Sequence, residues 1–179
     1  FANNMMPSMK KKLMLYHEKT TLFDSRGIEK EVEKLYNKKI ALKCGGYIFI
    51  EETEGLIAID VNSGSFNKKH MEETAFKVNS EAAMEIARQI RMRDVGGIVI
   101  VDFIDKMREK HNREIFDILV NMFKKDRAKI NILKMSEFGI VQMTRQRIRR
   151  GVRKVSYKDC PYCHGRGSVK SATTMAIEV

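Results

Sequence analysis

Two aspartates that follow apolar runs are the first sign of chemistry in this chain. One ends Leu56-Ile57-Ala58-Ile59-Asp60 and leads into Val61-Asn62-Ser63-Gly64; the other ends Gly97-Ile98-Val99-Ile100-Val101-Asp102 and leads into Phe103-Ile104-Asp105. Each run reads as a buried β-strand that delivers a carboxylate close to its carboxyl end. Desolvating a carboxylate is costly unless it is paired or bound to a cation. Two of them at neighbouring strand ends suit a hard divalent cation such as Mg²⁺, which takes one or two carboxylates and keeps several waters. Asp60 and Asn62 are two apart, so both emerge on one strand face while Ile57, Ile59 and Val61 cover the other. Asn62 is then placed to hydrogen-bond a carboxylate or a metal-held water. Asp105 either supports the ion from behind Asp102 or is simply exposed. An ion held here would polarise a phosphoryl oxygen and acidify a bound water for attack on phosphorus. The plainer alternative, that each acid caps a loop or pairs with one of the many arginines, stays open from the residues alone. Against it, open α/β sheets place ligands at the carboxyl ends of their strands.

A second constellation is Cys160-Pro161-Tyr162-Cys163-His164-Gly165-Arg166-Gly167. Its tetrapeptide matches that of glutaredoxins, so thiol redox chemistry has to be weighed. A redox Cys-x-x-Cys opens a helix after a strand. Here the pair lies near the end of the chain, and Gly165 and Gly167 disfavour a helix. Glycines after a Cys pair suit a zinc knuckle instead. Structural Zn²⁺ takes four ligands and this pair supplies two. Cys44 stands alone and reads as a small core residue, and His164 is too close to the pair to complete the set easily. The economical arrangement is a Zn²⁺ shared by Cys160 and Cys163 of two chains, which makes a zinc-linked homodimer or a tetramer built from it.

Between these sites lies a basic run, Arg145, Arg147, Arg149, Arg150, Arg153 and Lys154. The whole chain of 179 residues has a formal net charge of +11. Charge of that sign favours a polyanion, with nucleic acid first, although a solvated basic face would look the same. Arginine-rich character suits bidentate phosphate contacts. Arg145, Arg147, Arg149 and Arg150, with Lys129 earlier in the chain, are the expected nucleic-acid contacts. Phe66, Phe103 and Phe138 are either core residues or platforms for stacked bases. No apolar run is long enough to cross a bilayer. The few cysteines point to a reducing compartment, and a first residue other than Met suggests a piece of a longer protein.

The elements that must position these residues follow from periodicity. Ile28 to Tyr36 has helical spacing, and Phe23-Asp24-Ser25-Arg26-Gly27 before it has turn and cap chemistry. Tyr47 to Ile50 and 56–62 read as strands joined by a hairpin turn, and Glu72 to Arg93 as one long helix. Gly97 to Asp102 is a strand, Arg108 to Lys125 a helix, and Ile130 to Met135 and Gly139 to Met143 two more strands. The order β-β-α-β-α-β-β predicts an α/β fold, a mixed sheet with packed helices. The texture of the chain changes at Cys44-Gly45-Gly46 and again from Thr144.

Taken together, these stretches resemble the ribonuclease E/G family. The matching residues are Ala58-Ile59-Asp60-Val61-Asn62-Ser63, Glu72-Glu73-Thr74-Ala75-Phe76-Lys77-Val78-Asn79, Arg91-Met92-Arg93-Asp94-Val95-Gly96-Gly97 and Val101-Asp102-Phe103-Ile104-Asp105. Asp126-Arg127-Ala128-Lys129-Ile130, Phe138-Gly139, Thr144-Arg145-Gln146-Arg147 and the segment from Cys160 to Gly167 continue the match. The resemblance implies an Mg²⁺-dependent endoribonuclease that cuts single-stranded A/U-rich RNA and leaves a 5′-phosphate. In it Asp60 and Asp102 bind the metal, Asn62 supports them, and Cys160 and Cys163 share Zn²⁺ between protomers. It implies a DNase I-like catalytic subdomain over 45–158, preceded by the tail of an RNase H-like subdomain over 1–44 and followed by the zinc link over 159–168 and the start of a C-terminal region over 169–179, in a bacterial cytoplasm or an organelle of bacterial descent. Lys106 replaces the methionine usual after the second acidic motif. The family's S1 RNA-binding and 5′-end-sensing regions lie before the matching stretch, so RNA binding by this chain is expected to be weak and salt-sensitive. A non-catalytic RNA-binding or scaffolding fragment is the alternative from another class.

Overall fold

A computed structural model describes residues 12–64, 71–105, 108–148, 158, 160–163, 165 and 167–177. Phe66, Lys106, Arg149, Arg150, Arg153, Lys154 and His164 lie outside them. The chain divides into two units, Phe1–Asn37 and Lys38–Val179. In the first, a four-residue helix α1 (Leu22–Ser25) is capped by Thr21, whose Oγ1 accepts from the Asp24 N–H at 3.2 Å. Helix α2 (Ile28–Lys34) follows a left-handed Gly27; the sequence predicts this helix, whereas the expected turn narrows to Arg26-Gly27 because Phe23 to Ser25 belong to α1, and no side chain caps α2.

The second unit is built on a six-stranded sheet in the order β1-β2-β3-β4-β6-β5. Its strands are β1 (Lys39–Ala41), β2 (Tyr47–Glu52), β3 (Leu56–Asn62), β4 (Gly97–Asp102), β5 (Ile130–Ile132) and β6 (Ile140–Arg145). Only β3 and β4 pair in parallel; every other neighbouring pair is antiparallel. The crossover between them is helix α3 (Met71–Met92), and α4 (Glu109–Phe123) follows β4. A short, exposed α5 (Ala172–Ile177) lies near the end. The mixed sheet and both long helices agree with the expected α/β class. Edge strand β1 is an addition, and it places the start of the sheet ahead of Gly45.

Strand alternation decides which face is covered. Ile48, Ile50, Ile57, Ile59, Val61, Val99, Val101, Val141 and Met143 are buried in one apolar cluster with the stripe Val78, Ala82, Ala83, Ile86, Ala87 and Ile90 of α3. Ile115, Leu119 and Phe123 of α4 join the same cluster. Alanines in the α3 stripe let the helix approach the sheet closely, and α4 buries its own face beside it. The opposite sheet face is more open: Ile98 is half exposed, and Asp60 and Asp102 project from it. Among the described residues no helix is long and apolar enough to cross a membrane.

Candidate active site

Asp60 and Asp102 are Cα partners in the parallel β3–β4 ladder. Residues in such register share a sheet face, so the two carboxylates stand side by side at the carboxyl ends of adjacent strands, both exposed. Asn62 is on the same face, and its Nδ2 donates to Asp60 Oδ2 at 2.5 Å. Burial first, then the charge of Asp60, then that of Asp105, pushes the Asp102 carboxyl above the ordinary carboxylate range. Among the described residues neither Asp60 nor Asp102 forms an ion pair with a lysine or arginine. No group of three or more His, Cys, Asp or Glu residues among them converges as a ligand set. The site is therefore a pair of mutually repelling oxygen donors. That donor set fits a hard divalent cation that keeps most of its waters, because the ion relieves the repulsion and two carboxylates suffice to hold it.

One turn of α3 fastens the loops on both sides of this pair. Buried Asn79 donates from Nδ2 to the Ile104 carbonyl at 2.9 Å and accepts from the Ile104 N–H at 3.1 Å. This two-way amide bond holds the backbone between Asp102 and Asp105. Glu81 accepts from the N–H groups of Lys43 and Cys44, the latter at 3.0 Å, and so pins the turn that opens β2. Burial works against the Glu81 charge, but hydrogen bonds from the Cys44 thiol and the two N–H groups outweigh it and hold its carboxyl below the ordinary range. Cys44 is half-buried against the core, with its thiol pushed up by burial and by Glu81. Gly46 completes the arrangement: a Cβ there would stand 2.7 Å from the Asn62 carbonyl and 2.8 Å from Val78 Cγ1. Only a glycine lets β2 start so close to the end of β3.

Asn79 is a positioning residue that the sequence reading did not single out. The signal was a polar side chain inside an apolar helical stripe, between Val78 and Ala82. Asn79→Ala would leave the Ile104 N–H and carbonyl without these partners, at a cost of about 1–3 kcal/mol for each group that stays buried. The expected result is a urea midpoint lowered with an unchanged m-value. A variant as stable as the parent would show that Ile104 finds other partners.

The basic residues do not act as one group. Arg145, expected as an RNA contact, is buried on the inward face of β6. Its guanidinium bonds Asp126 Oδ2 at 2.9 Å, Asp94 Oδ1 at 3.0 Å and the Val95 carbonyl at 2.7 Å. Alternation explains the correction: Arg145 follows Val141 and Met143 on one face of the strand. Arg147 is exposed and lies across Gly96, donating from Nε to the Gly96 carbonyl at 2.9 Å. Lys129 is exposed beside β5, where its carbonyl accepts from the Gln146 N–H. Arg149 and Arg150 fall outside the described residues. Arg88 and Arg91 in the last turns of α3 and Arg93 just after it bond Glu85, the Met122 carbonyl and Gln89. Cys160 and Cys163 sit at a turn rather than at the start of a helix, with Cys160 exposed and Cys163 partly buried.

A mixed α/β sheet with two in-register acids at the carboxyl ends of its parallel pair makes a candidate site for a divalent cation. Residues 1–148 match the Ribonuclease E/G family. Ribonuclease G of Haemophilus influenzae is 39% identical over 180 residues, covering 100% of this chain and 37% of that protein. Ribonuclease G of Escherichia coli (strain K12) gives the same identity and coverage. Ribonuclease E of Escherichia coli (strain K12) is 38% identical over 174 residues, covering 97% of this chain and 16% of that protein. The chain belongs to the ribonuclease E/G family. It spans a little over a third of the length of the ribonuclease G relatives that it matches.

Proposed function

We propose that this chain is the catalytic region of an Mg²⁺-dependent endoribonuclease that acts on single-stranded, A/U-rich RNA in RNA processing and decay. The observation that carries this reading is the register of Asp60 with Asp102 at adjacent strand ends, in a chain that belongs to a ribonuclease family. Asp60 and Asp102 would hold the ion, and Asn62 would orient Asp60 through the bond to Oδ2. When bound, Mg²⁺ supplies charge neutralisation at a phosphoryl oxygen and a more acidic water. A 5′-phosphate product requires water to attack phosphorus while the P–O3′ bond breaks and the 3′-oxygen takes a proton. Asp105 adds negative charge beside Asp102 and so strengthens the demand for a cation. Lys129, Arg147, Arg149 and Arg150 would hold the phosphodiester chain, Lys129 and Arg147 from the amino end of β4. Arg145 acts on this surface only by fixing β6.

The test is cleavage of a 5′-monophosphorylated single-stranded A/U-rich RNA in Mg²⁺ and in EDTA. Cleavage in Mg²⁺ alone, giving new 5′-phosphates, supports the reading. Retention of RNA without cleavage in either buffer assigns the chain to the alternative, an RNA-binding or scaffolding fragment.

The assembly proposed with this function is a homodimer in which Cys160 and Cys163 of each chain share one Zn²⁺, with a tetramer as its next level. The turn that carries both thiols supports a knuckle rather than a redox helix. The proposed location is the cytoplasm of a bacterium or an organelle of bacterial descent. Metal analysis with light scattering should find one Zn²⁺ for every two chains and a dimer mass. A monomer free of zinc at micromolar concentration would sink the shared site.

A further inference from the structure

The acidic pair has an aromatic neighbour with no part in the chemistry above. Strand β6 begins at Ile140, the ladder partner of Asp102. Two residues earlier Phe138 is 77% exposed, and two residues of chain reach at most about 7 Å. The Phe138 backbone therefore stands at the carboxyl end of β4, beside the acids.

A single exposed aromatic residue is ordinary on a protein surface. What sets Phe138 apart is how its turn is held. The Gly139 N–H donates to the Ser136 carbonyl at 3.0 Å and the Ser136 N–H to the Ile140 carbonyl at 2.9 Å. Ser136 Oγ accepts from the Ile140 N–H at 3.2 Å, and the Gly139 carbonyl accepts from the Phe103 N–H at 3.2 Å. Gly139 has φ +80°, and a Cβ there would lie 3.1 Å from the Phe103 carbonyl oxygen and 3.9 Å from Asp105 Cα. The turn is thus pressed onto the loop that carries Asp105 and bonded to the residue after Asp102. Such fastening fixes the base of an exposed ring at a set distance from the acids.

Electrostatics decides what that ring can hold. Asp60, Asp102 and Asp105 make this end of the sheet repulsive to phosphate away from a bound cation. A grip on RNA here has to come from a base, and an uncharged ring face stacks any unpaired base. The other aromatic residues near the pair are less available. Phe103 is buried, Phe49 is half-buried on the far side of Asp60, and Tyr47 has Lys39 Nζ 3.8 Å over its ring.

We infer that Phe138 is a stacking platform for an unpaired base next to the phosphodiester placed over Asp60 and Asp102, an inference that rests on the ribonuclease reading. It makes Phe138 a selector for single-stranded substrate, because a base inside a duplex has both faces covered.

The test compares the parent chain with Phe138→Ala, Phe138→Leu and Phe138→Trp on a 5′-monophosphorylated A/U-rich oligonucleotide. A matching series carries one abasic nucleotide at each position flanking the cleavage site. Dissociation constants are read by fluorescence anisotropy in EDTA, alongside KM and kcat in Mg²⁺. Phe138→Ala and Phe138→Leu should raise Kd and KM about tenfold with kcat within about twofold, and Phe138→Trp should restore both constants. On the oligonucleotide lacking the stacked base, the parent and Phe138→Ala should be equal. A parent that cleaves RNA, with Phe138→Ala matching its constants on every substrate, overturns this inference and leaves the ribonuclease reading standing. So does a defect that persists undiminished across the whole abasic series. A parent that neither binds nor cleaves RNA removes both.

Discussion

Asp60→Asn and Asp102→Asn should each reduce Mg²⁺-dependent RNA cleavage by about 10³-fold or more, with a melting temperature equal to or above the parent's. The loss follows from the size of the site. The candidate cation site rests on two carboxylates without a third ligand-type residue among the described residues, so removing either charge removes half of the protein's hold on the ion. The several kcal/mol that a bound cation contributes at phosphorus correspond to a few powers of ten in rate. The stability half of the prediction comes from electrostatics. Asp102 is held above the ordinary carboxylate range by burial and by the charges of Asp60 and Asp105, so its ionised form works against folding when no cation is present. An isosteric amide removes that repulsion and keeps the shape. Thermal melts in EDTA together with single-turnover cleavage in Mg²⁺ check both halves. Activity within tenfold of the parent would remove the metal role from the acid, and a melting temperature well below the parent's would show that the acid is a structural cap instead.

The second large effect belongs to Arg145 and Asp126, whose side chains are each only 4% exposed. Arg145 binds Asp126 through two guanidinium nitrogens and reaches Asp94 and the Val95 carbonyl with the third. Asp94, with φ 49°, is the one non-glycine residue among those described with a positive φ, and the contact with Arg145 helps to hold that turn between α3 and β4. Breaking a buried pair by removing one partner strands the other charge, at a cost of about 3–5 kcal/mol. Asp126→Ala and Arg145→Ala should therefore each lower the melting temperature by about 10 °C. Acid should act on the same bond. Burial opposes the Asp126 charge, but hydrogen bonds from Arg145 and the Ala128 N–H and the Arg145 charge outweigh it, so the folded-state carboxyl lies below its ordinary value. A carboxyl lowered on folding contributes stability that is complete above the unfolded-state pKa and lost as pH falls through the folded-state value. Parent stability should thus decline below about pH 4, and Asp126→Ala should lack that part of the decline. Parallel pH-stability curves for the two proteins would contradict this account.

Much of this architecture was legible because it rests on periodicity. Alternation in β3 set the core face and the acidic face apart, the apolar run of β4 marked a buried strand ending in an acid, and the apolar stripe of α3 marked a helix long enough to cross between parallel strands. What was harder to read has identifiable physical causes. Strand β1 is three residues with one apolar position, Lys39-Ile40-Ala41, and exists because β2 offers it a free edge. Arg145 was grouped with its basic neighbours by charge, although the parity of β6 places it inward with Val141 and Met143. Asn79 gave only a weak signal, since a polar residue in an apolar stripe reveals its purpose once Ile104 is seen beside it. The acids themselves were visible as an anomaly at two strand ends. Their register was not, because pairing between β3 and β4 is a long-range property that no local pattern records.

That one parallel pair in an otherwise antiparallel sheet also bears on when the site comes into being. A hairpin can close across a short turn, but parallel neighbours must wait for the whole connection between them to find its course. Asp60 and Asp102 belong to segments separated by the entire α3 crossover, so neither the β2–β3 hairpin nor the β5–β6 hairpin brings them together. The acidic pair is complete only once β4 docks against β3.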